Sequence, residues 1–104
     1  MLDQIKKLFG FGPTTDLAEV MQRGGVIIDV RTPGEYASGH IKGSTNIPLA
    51  SLSGQLAKLK KDKPVITCCA SGMRSGSAKS MLQAHGFKEV HNGGSWVNLK
   101  TLEK

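Results

Sequence analysis

Apolar residues in this chain fall into short blocks that switch between two periods. Val26-Ile27-Ile28-Asp29-Val30 is a continuous apolar run with one acid, the pattern of a parallel strand covered on both faces. Pro64-Val65-Ile66-Thr67-Cys68 is a second such run and predicts a strand over Val65 to Cys68. Glu89-Val90-His91 predicts a short strand, and the irregular stretch from Gly39 to Pro48 holds another near Ser44 to Asn46. Between these runs the spacing becomes helical. Leu17, Val20 and Met21 share one face of a helix from Asp16 to about Arg23, capped by Thr14 or Thr15 and ended by Gly24-Gly25. Thr32-Pro33-Gly34-Glu35-Tyr36 predicts a turn and a short helix with proline at an early position. Leu52, Leu56 and Leu59 form a stripe in a helix from Leu49 or Ala50 through Lys60. Ala78, Met81 and Leu82 do the same over Ser75 to Ala84, with Gly86 as the stop. Gly93-Gly94 leads into a last helix with Trp96, Val97 and Leu99. At the start, Leu2, Ile5, Leu8 and Phe9 mark a short amphipathic segment that Gly10-Phe11-Gly12-Pro13 breaks.

Strands alternating with helices predict an α/β domain with a central, mostly parallel sheet flanked by helices. A chain of 104 residues suits one such domain. Residues 1–13 are assigned as an N-terminal amphipathic segment or cap, and 14–104 as the domain. Hydrophobic content of 38% and charged content of 21% are those of an ordinary globular protein. No apolar run approaches the ~20 residues that span a bilayer, so no membrane partner is expected. The N-terminus lacks the apolar core of a signal peptide, which points to the cytoplasm. The net charge is +6, with much of the basic excess in Lys58, Lys60, Lys61, Lys63 and Lys88. One Trp, one Tyr and three Phe are too few to interleave with these lysines, so no nucleic-acid role is expected. A positive field does help to draw in small anions.

The two cysteines are adjacent, Cys68 and Cys69. On a strand their side chains point to opposite faces, so one belongs to the core and the other is free for chemistry. There is no Cys-x-x-Cys spacing and the three histidines are scattered, so neither a metal nor another cofactor is expected. Cys69 sits where a buried strand ends. Ala70, Ser71, Gly72, Met73 and Arg74 follow as a loop, and Ser75 opens a helix. That layout gathers backbone N–H groups and the positive end of a helix dipole around one sulfur. It favours a thiolate, and suits a nucleophile that holds a small anion or a transferable sulfur atom.

Two blocks give this reading a family. The first is Asp29-Val30-Arg31, Glu35-Tyr36, Gly39-His40-Ile41-Lys42-Gly43-Ser44 and Asn46-Ile47-Pro48; the second is Cys69-Ala70-Ser71-Gly72-Met73-Arg74-Ser75. With a weaker third block, Gly86-Phe87, Val90 and Gly93-Gly94, the chain over roughly residues 14 to 98 resembles a single-domain rhodanese. The resemblance implies a sulfurtransferase that takes sulfane sulfur from a small anionic donor such as thiosulfate onto Cys69 as a persulfide. A thiol, cyanide or a protein sulfur acceptor then removes it. It also implies that Ala70 through Ser75 cradle the substrate with inward N–H groups. Asp29, Arg31, Glu35 and His40 become structural support, with Asp29 or Glu35 as the partner of Arg74. The spacing Cys-x4-Arg is one residue shorter than the Cys-x5-Arg of cysteine phosphatases and related arsenate reductases, which favours a single sulfur in the cradle. The competing readings are a catalytically idle domain of the same fold that binds or regulates, and a phosphatase or arsenate reductase.

Overall fold

In a computed structural model the described residues are 16–104; the predicted N-terminal segment at 1–13 lies outside them. Four strands form one sheet in the order β2-β1-β3-β4. These are β1 (Val26–Asp29), β2 (Thr45–Asn46), β3 (Val65–Cys69) and β4 (Val90–Ser95). Every neighbouring pair is parallel, with Asp29 beside Cys68 and Thr67 beside Asn92. The helices are α1 (Leu17–Gln22), α2 (Pro33–Ala37), α3 (Leu49–Gln55) and α4 (Met73–Ala84). No helix of the described residues is long and apolar enough to cross a membrane.

The alternation of side chains along β1 and β3 divides the core in two. Ile28, Val30, Val65 and Cys69 pack with Leu52, Leu56, Ala78 and Leu82 under α3 and α4. Ile27, Ile66 and Cys68 pack on the other face with Val20 of α1, Ile41 and Leu99. The apolar runs are therefore covered on both sides, as their composition requires.

Boundaries differ from the sequence reading in several places. α1 is capped by Asp16, whose carboxylate accepts the Glu19 N–H at 3.2 Å. α3 tightens into a 3-10 turn at Leu56–Lys58, which keeps Leu56 buried while the chain turns toward β3. β4 runs through Gly93 and Gly94, which the sequence reading places after the strand as the lead into the last helix. Gly93 belongs there because a Cβ would stand 2.9 Å from Ile66 Cγ2 and from Thr67 O. The segment Trp96–Leu102 is 3-10 rather than α-helical; Leu99 is buried, Val97 is exposed, and Trp96 is only partly covered.

Candidate active site

β3 ends on Cys69, which is 0% exposed. The chain then passes through Ala70 and Ser71, both on the surface, to Gly72. Gly72 has φ +103, a left-handed conformation that costs glycine nothing. It is the N-cap of α4, so the helix starts at Met73, two residues before the sequence reading starts it. Ser75 is accordingly not a cap. It sits in the first turn, fully buried, and its carbonyl accepts the Thr67 hydroxyl at 2.9 Å.

This turn folds around the Cys69 sulfur. The Gly72 N–H donates to Sγ at 2.9 Å and the Ser75 N–H at 3.4 Å, and the Ser75 hydroxyl lies 3.5 Å away. Burial pushes the thiol up. Hydrogen bonds from the Ser75 hydroxyl and from the N–H groups of Ser75, Gly72 and Ser71 outweigh it and bring Cys69 below the ordinary thiol range. The expectation that all N–H groups from Ala70 to Ser75 point inward is met by these three. Those of Ala70, Met73 and Arg74 make no hydrogen bond to Sγ.

Cys68 is the opposite case. It is buried under α1, and burial together with the neighbouring Asp29 charge pushes it up to about 12. One step along a strand thus separates an acidic thiol from an inert one.

The supporting residues divide into two ion pairs. Arg74 grips Glu35 with both terminal nitrogens, Nη1 to Oε1 at 2.7 Å and Nη2 to Oε2 at 2.9 Å. Glu35 also accepts the Thr32 N–H at 3.0 Å in a capping box at the start of α2. The Arg74 fork and then the Thr32 N–H lower the Glu35 carboxyl from the ordinary 4.5 to about 2. Asp29, the other partner proposed for Arg74, is not its partner. It is buried and held by Arg31, with Nε at 3.0 Å from both oxygens and Nη2 at 2.8 Å from Oδ2. Arg31 further donates to the carbonyls of Glu35 and Gly39 and lies 4.6 Å over the Trp96 ring. Asp29 leaves Arg74 because Arg31, two residues along its own chain, reaches it without leaving the core.

His40 stacks on Tyr36 with ring centroids 3.7 Å apart and places Nδ1 2.8 Å from Tyr36 O. It serves a turn and makes no contact with the sulfur. Met73 faces solvent at 81% exposure beside the loop. His85 is on the surface, whereas His91 is half-buried with Nε2 2.6 Å from Glu89.

Asn92 is the site residue that sequence reasoning missed. Its Oδ1 accepts the Ser75 hydroxyl at 2.6 Å and the Gly94 N–H at 2.9 Å, and its Nδ2 donates to Gly72 O at 3.2 Å. An asparagine before two glycines reads as a turn. Only the pairing of Thr67 with Asn92 turns it toward α4.

Comparison with known proteins agrees with this geometry. The family model described as rhodanese-like domain matches residues 13–100. The protein YqhL of Bacillus subtilis is 42% identical over 64% of this chain and 52% of its own length. The thiosulfate sulfurtransferase GlpE of Stutzerimonas stutzeri is 41% identical over 66% of this chain and 63% of its own. The match thus spans between half and two thirds of these relatives' length. A solved rhodanese from E. coli, described with anions, superimposes with a TM-score of 0.67 at 34% identity, covering 71% of this chain and 89% of that one. A parallel sheet that delivers a cysteine into a tight loop before a helix, matched over most of its length, places the chain in the rhodanese-like domain family.

Proposed function

We propose that the chain is a thiosulfate sulfurtransferase that works through a persulfide on Cys69. The carrying observation is the sulfur itself, buried at a helix N-terminus with three N–H donors and a hydroxyl that favour its ionised form. The activity printed for GlpE supports the same reading.

In the first step the Cys69 thiolate attacks the outer sulfur of thiosulfate. A Cys69–sulfur bond forms, the S–S bond of thiosulfate breaks, and sulfite leaves with the electron pair. The charge then resides on the outer persulfide sulfur, next to the mouth of the loop. The N–H groups of Met73 and Arg74, which are not spent on Sγ, stand on the first turn of α4 where that charge develops. In the second step a thiophilic acceptor, cyanide or a thiolate, takes the outer sulfur and Cys69 leaves as thiolate. Arg74 has Nη1 and Nη2 committed to Glu35, so its part is to brace the loop against α2.

The test is an intact mass after incubation with thiosulfate and removal of the excess. A gain of one sulfur atom, discharged by cyanide and missing in Cys69→Ser, is the expected result. A Cys69→Ser variant that still produces thiocyanate would overturn the mechanism. A wild-type protein with no gain from thiosulfate, mercaptopyruvate or polysulfide would favour a binding domain instead.

A further inference from the structure

The Ser75 hydroxyl has one proton and two acceptors. It lies 3.5 Å from Cys69 Sγ and 2.6 Å from Asn92 Oδ1. Ser75 and the Cys69 sulfur are both fully buried, so water offers Sγ no donor in place of this hydroxyl, while Asn92 itself reaches the surface. Asn92 cannot simply turn its amide round. Its Oδ1 is fixed by the Gly94 N–H and its Nδ2 by Gly72 O, so an acceptor faces Ser75. When Cys69 holds its proton, S–H donates to Ser75 Oγ and Ser75 donates to Asn92. When Cys69 is a thiolate, its charge attracts that same Ser75 proton, and the Gly94 N–H still satisfies Oδ1.

We propose that Asn92 is a positioning residue that competes with the Cys69 sulfur for the single Ser75 proton, and so sets how readily Cys69 ionises. The inference rests on reading Cys69 as the nucleophile. In the catalytic cycle the hydroxyl only rotates. It faces Sγ in the thiolate and returns to Asn92 when the charge moves to the outer sulfur. It swings back when the acceptor removes that sulfur and Sγ must leave as an anion. The thiol proton itself passes to a solvent base.

Other charges around this sulfur are accounted for on each packed element. α4 contributes Arg74, paired with Glu35; β1 contributes Asp29, paired with Arg31. Cys68 is the neighbour on β3, and its thiol stays protonated. On β4, His91 pairs with Glu89 and shares the sheet face of Ile66 rather than that of Cys69. The α3 residues Leu49–Gln55 include no charged side chain.

Thiolate ultraviolet absorbance followed against pH tests this in the wild type, Asn92→Leu, Asn92→Ala, Asn92→Asp and Ser75→Ala, with Cys69→Ser as baseline. Removing the competing acceptor leaves the Ser75 proton to the sulfur. Asn92→Leu and Asn92→Ala should therefore lower the Cys69 midpoint by about one pH unit, the scale of one hydrogen bond. Asn92→Asp and Ser75→Ala should raise it. In a Ser75→Ala background, Asn92→Ala should no longer shift it. A merely structural Asn92 would loosen the loop and strip N–H donors from Sγ, so an upward or absent shift in Asn92→Ala overturns the proposal. A downward shift that persists without the Ser75 hydroxyl also overturns it. The titration needs no sulfur transfer, so these shifts in a protein that gains no sulfur from any donor would retain this inference while refuting the proposed function.

Discussion

Arg31→Ala is the most informative perturbation of the scaffold. The Asp29 side chain is 0% exposed and that of Arg31 is 5% exposed. Arg31 supplies both side-chain nitrogens that face the Asp29 carboxylate, and removing it leaves only the Arg31 backbone N–H, 3.0 Å from Oδ1. Stripping one partner from a buried pair costs about 3–5 kcal/mol, because the remaining charge has lost water and partner together. The carbonyls of Glu35 and Gly39 also lose a donor, but both are close enough to the surface to hydrate. Against a total stability of roughly 5–15 kcal/mol for a domain, the loss is large. At about 4–8 °C per kcal/mol the melting point should fall by at least 12 °C. Urea denaturation followed by circular dichroism and by the fluorescence of Trp96, the sole tryptophan, measures it. The control is Asp29→Leu with Arg31→Met, which removes both charges and fills the space. It should recover most of the loss, since the penalty lies in the unpaired charge and not in the missing bond. A loss below about 1 kcal/mol in Arg31→Ala, or a double variant no more stable than the single one, would refute this reasoning.

Gly93→Ala should destabilise the domain by about 1–3 kcal/mol through overpacking, since its Cβ would meet Ile66 and the Thr67 carbonyl at 2.9 Å; equal urea midpoints would contradict this. Thiolate absorbance should rise in one step below the ordinary thiol range, vanish in Cys69→Ser and persist in Cys68→Ser, because burial holds Cys68 near 12. The Glu35 carboxyl is depressed in the fold, so its ion pair stabilises above the ordinary value of 4.5, and the contribution is lost as pH falls through about 2. The stability gap between wild type and Glu35→Gln should therefore be constant at neutral pH and close between those values; a gap that widens on acidification would reverse the sign.

The parallel sheet and the cysteine at the C-terminal end of an inner strand were legible because each rests on local pattern. Short continuous apolar runs bounded by turn residues and rich in Val and Ile read as strands buried on both faces. Strand alternation put Cys68 and Cys69 on opposite faces, one for the core and one for chemistry; that Cys69 is itself buried in the second core is seen only in the structure. What was not legible depends on contacts distant in sequence. Asn92 becomes a site residue through its register with Thr67, and Gly93 is a strand residue because Ile66 and Leu99 leave no room for a Cβ. The choice of Glu35 over Asp29 for Arg74 required knowing that Arg31 turns inward. The start of α4 was misplaced because Gly72 reads as a loop residue, whereas its left-handed backbone is what lets a helix begin so soon after the strand.

The depth of the Cys69 sulfur makes the loop a steric sieve. At 0% exposure, Sγ is reached only when the loop gives way, and a disulfide sulfur, which carries a carbon beside the bond to be broken, demands the wider opening. A terminal sulfur atom, bonded on one side only, is the shape that needs the smallest opening. In the proposed persulfide the transferred sulfur would stand one S–S bond, about 2.05 Å, further out than the cysteine that carries it. A partner then meets the transferable atom and never its anchor. Exchange with an ambient disulfide, which would join Cys69 to one of its sulfurs and release the other as a thiolate, is thereby disfavoured as long as the loop stays closed.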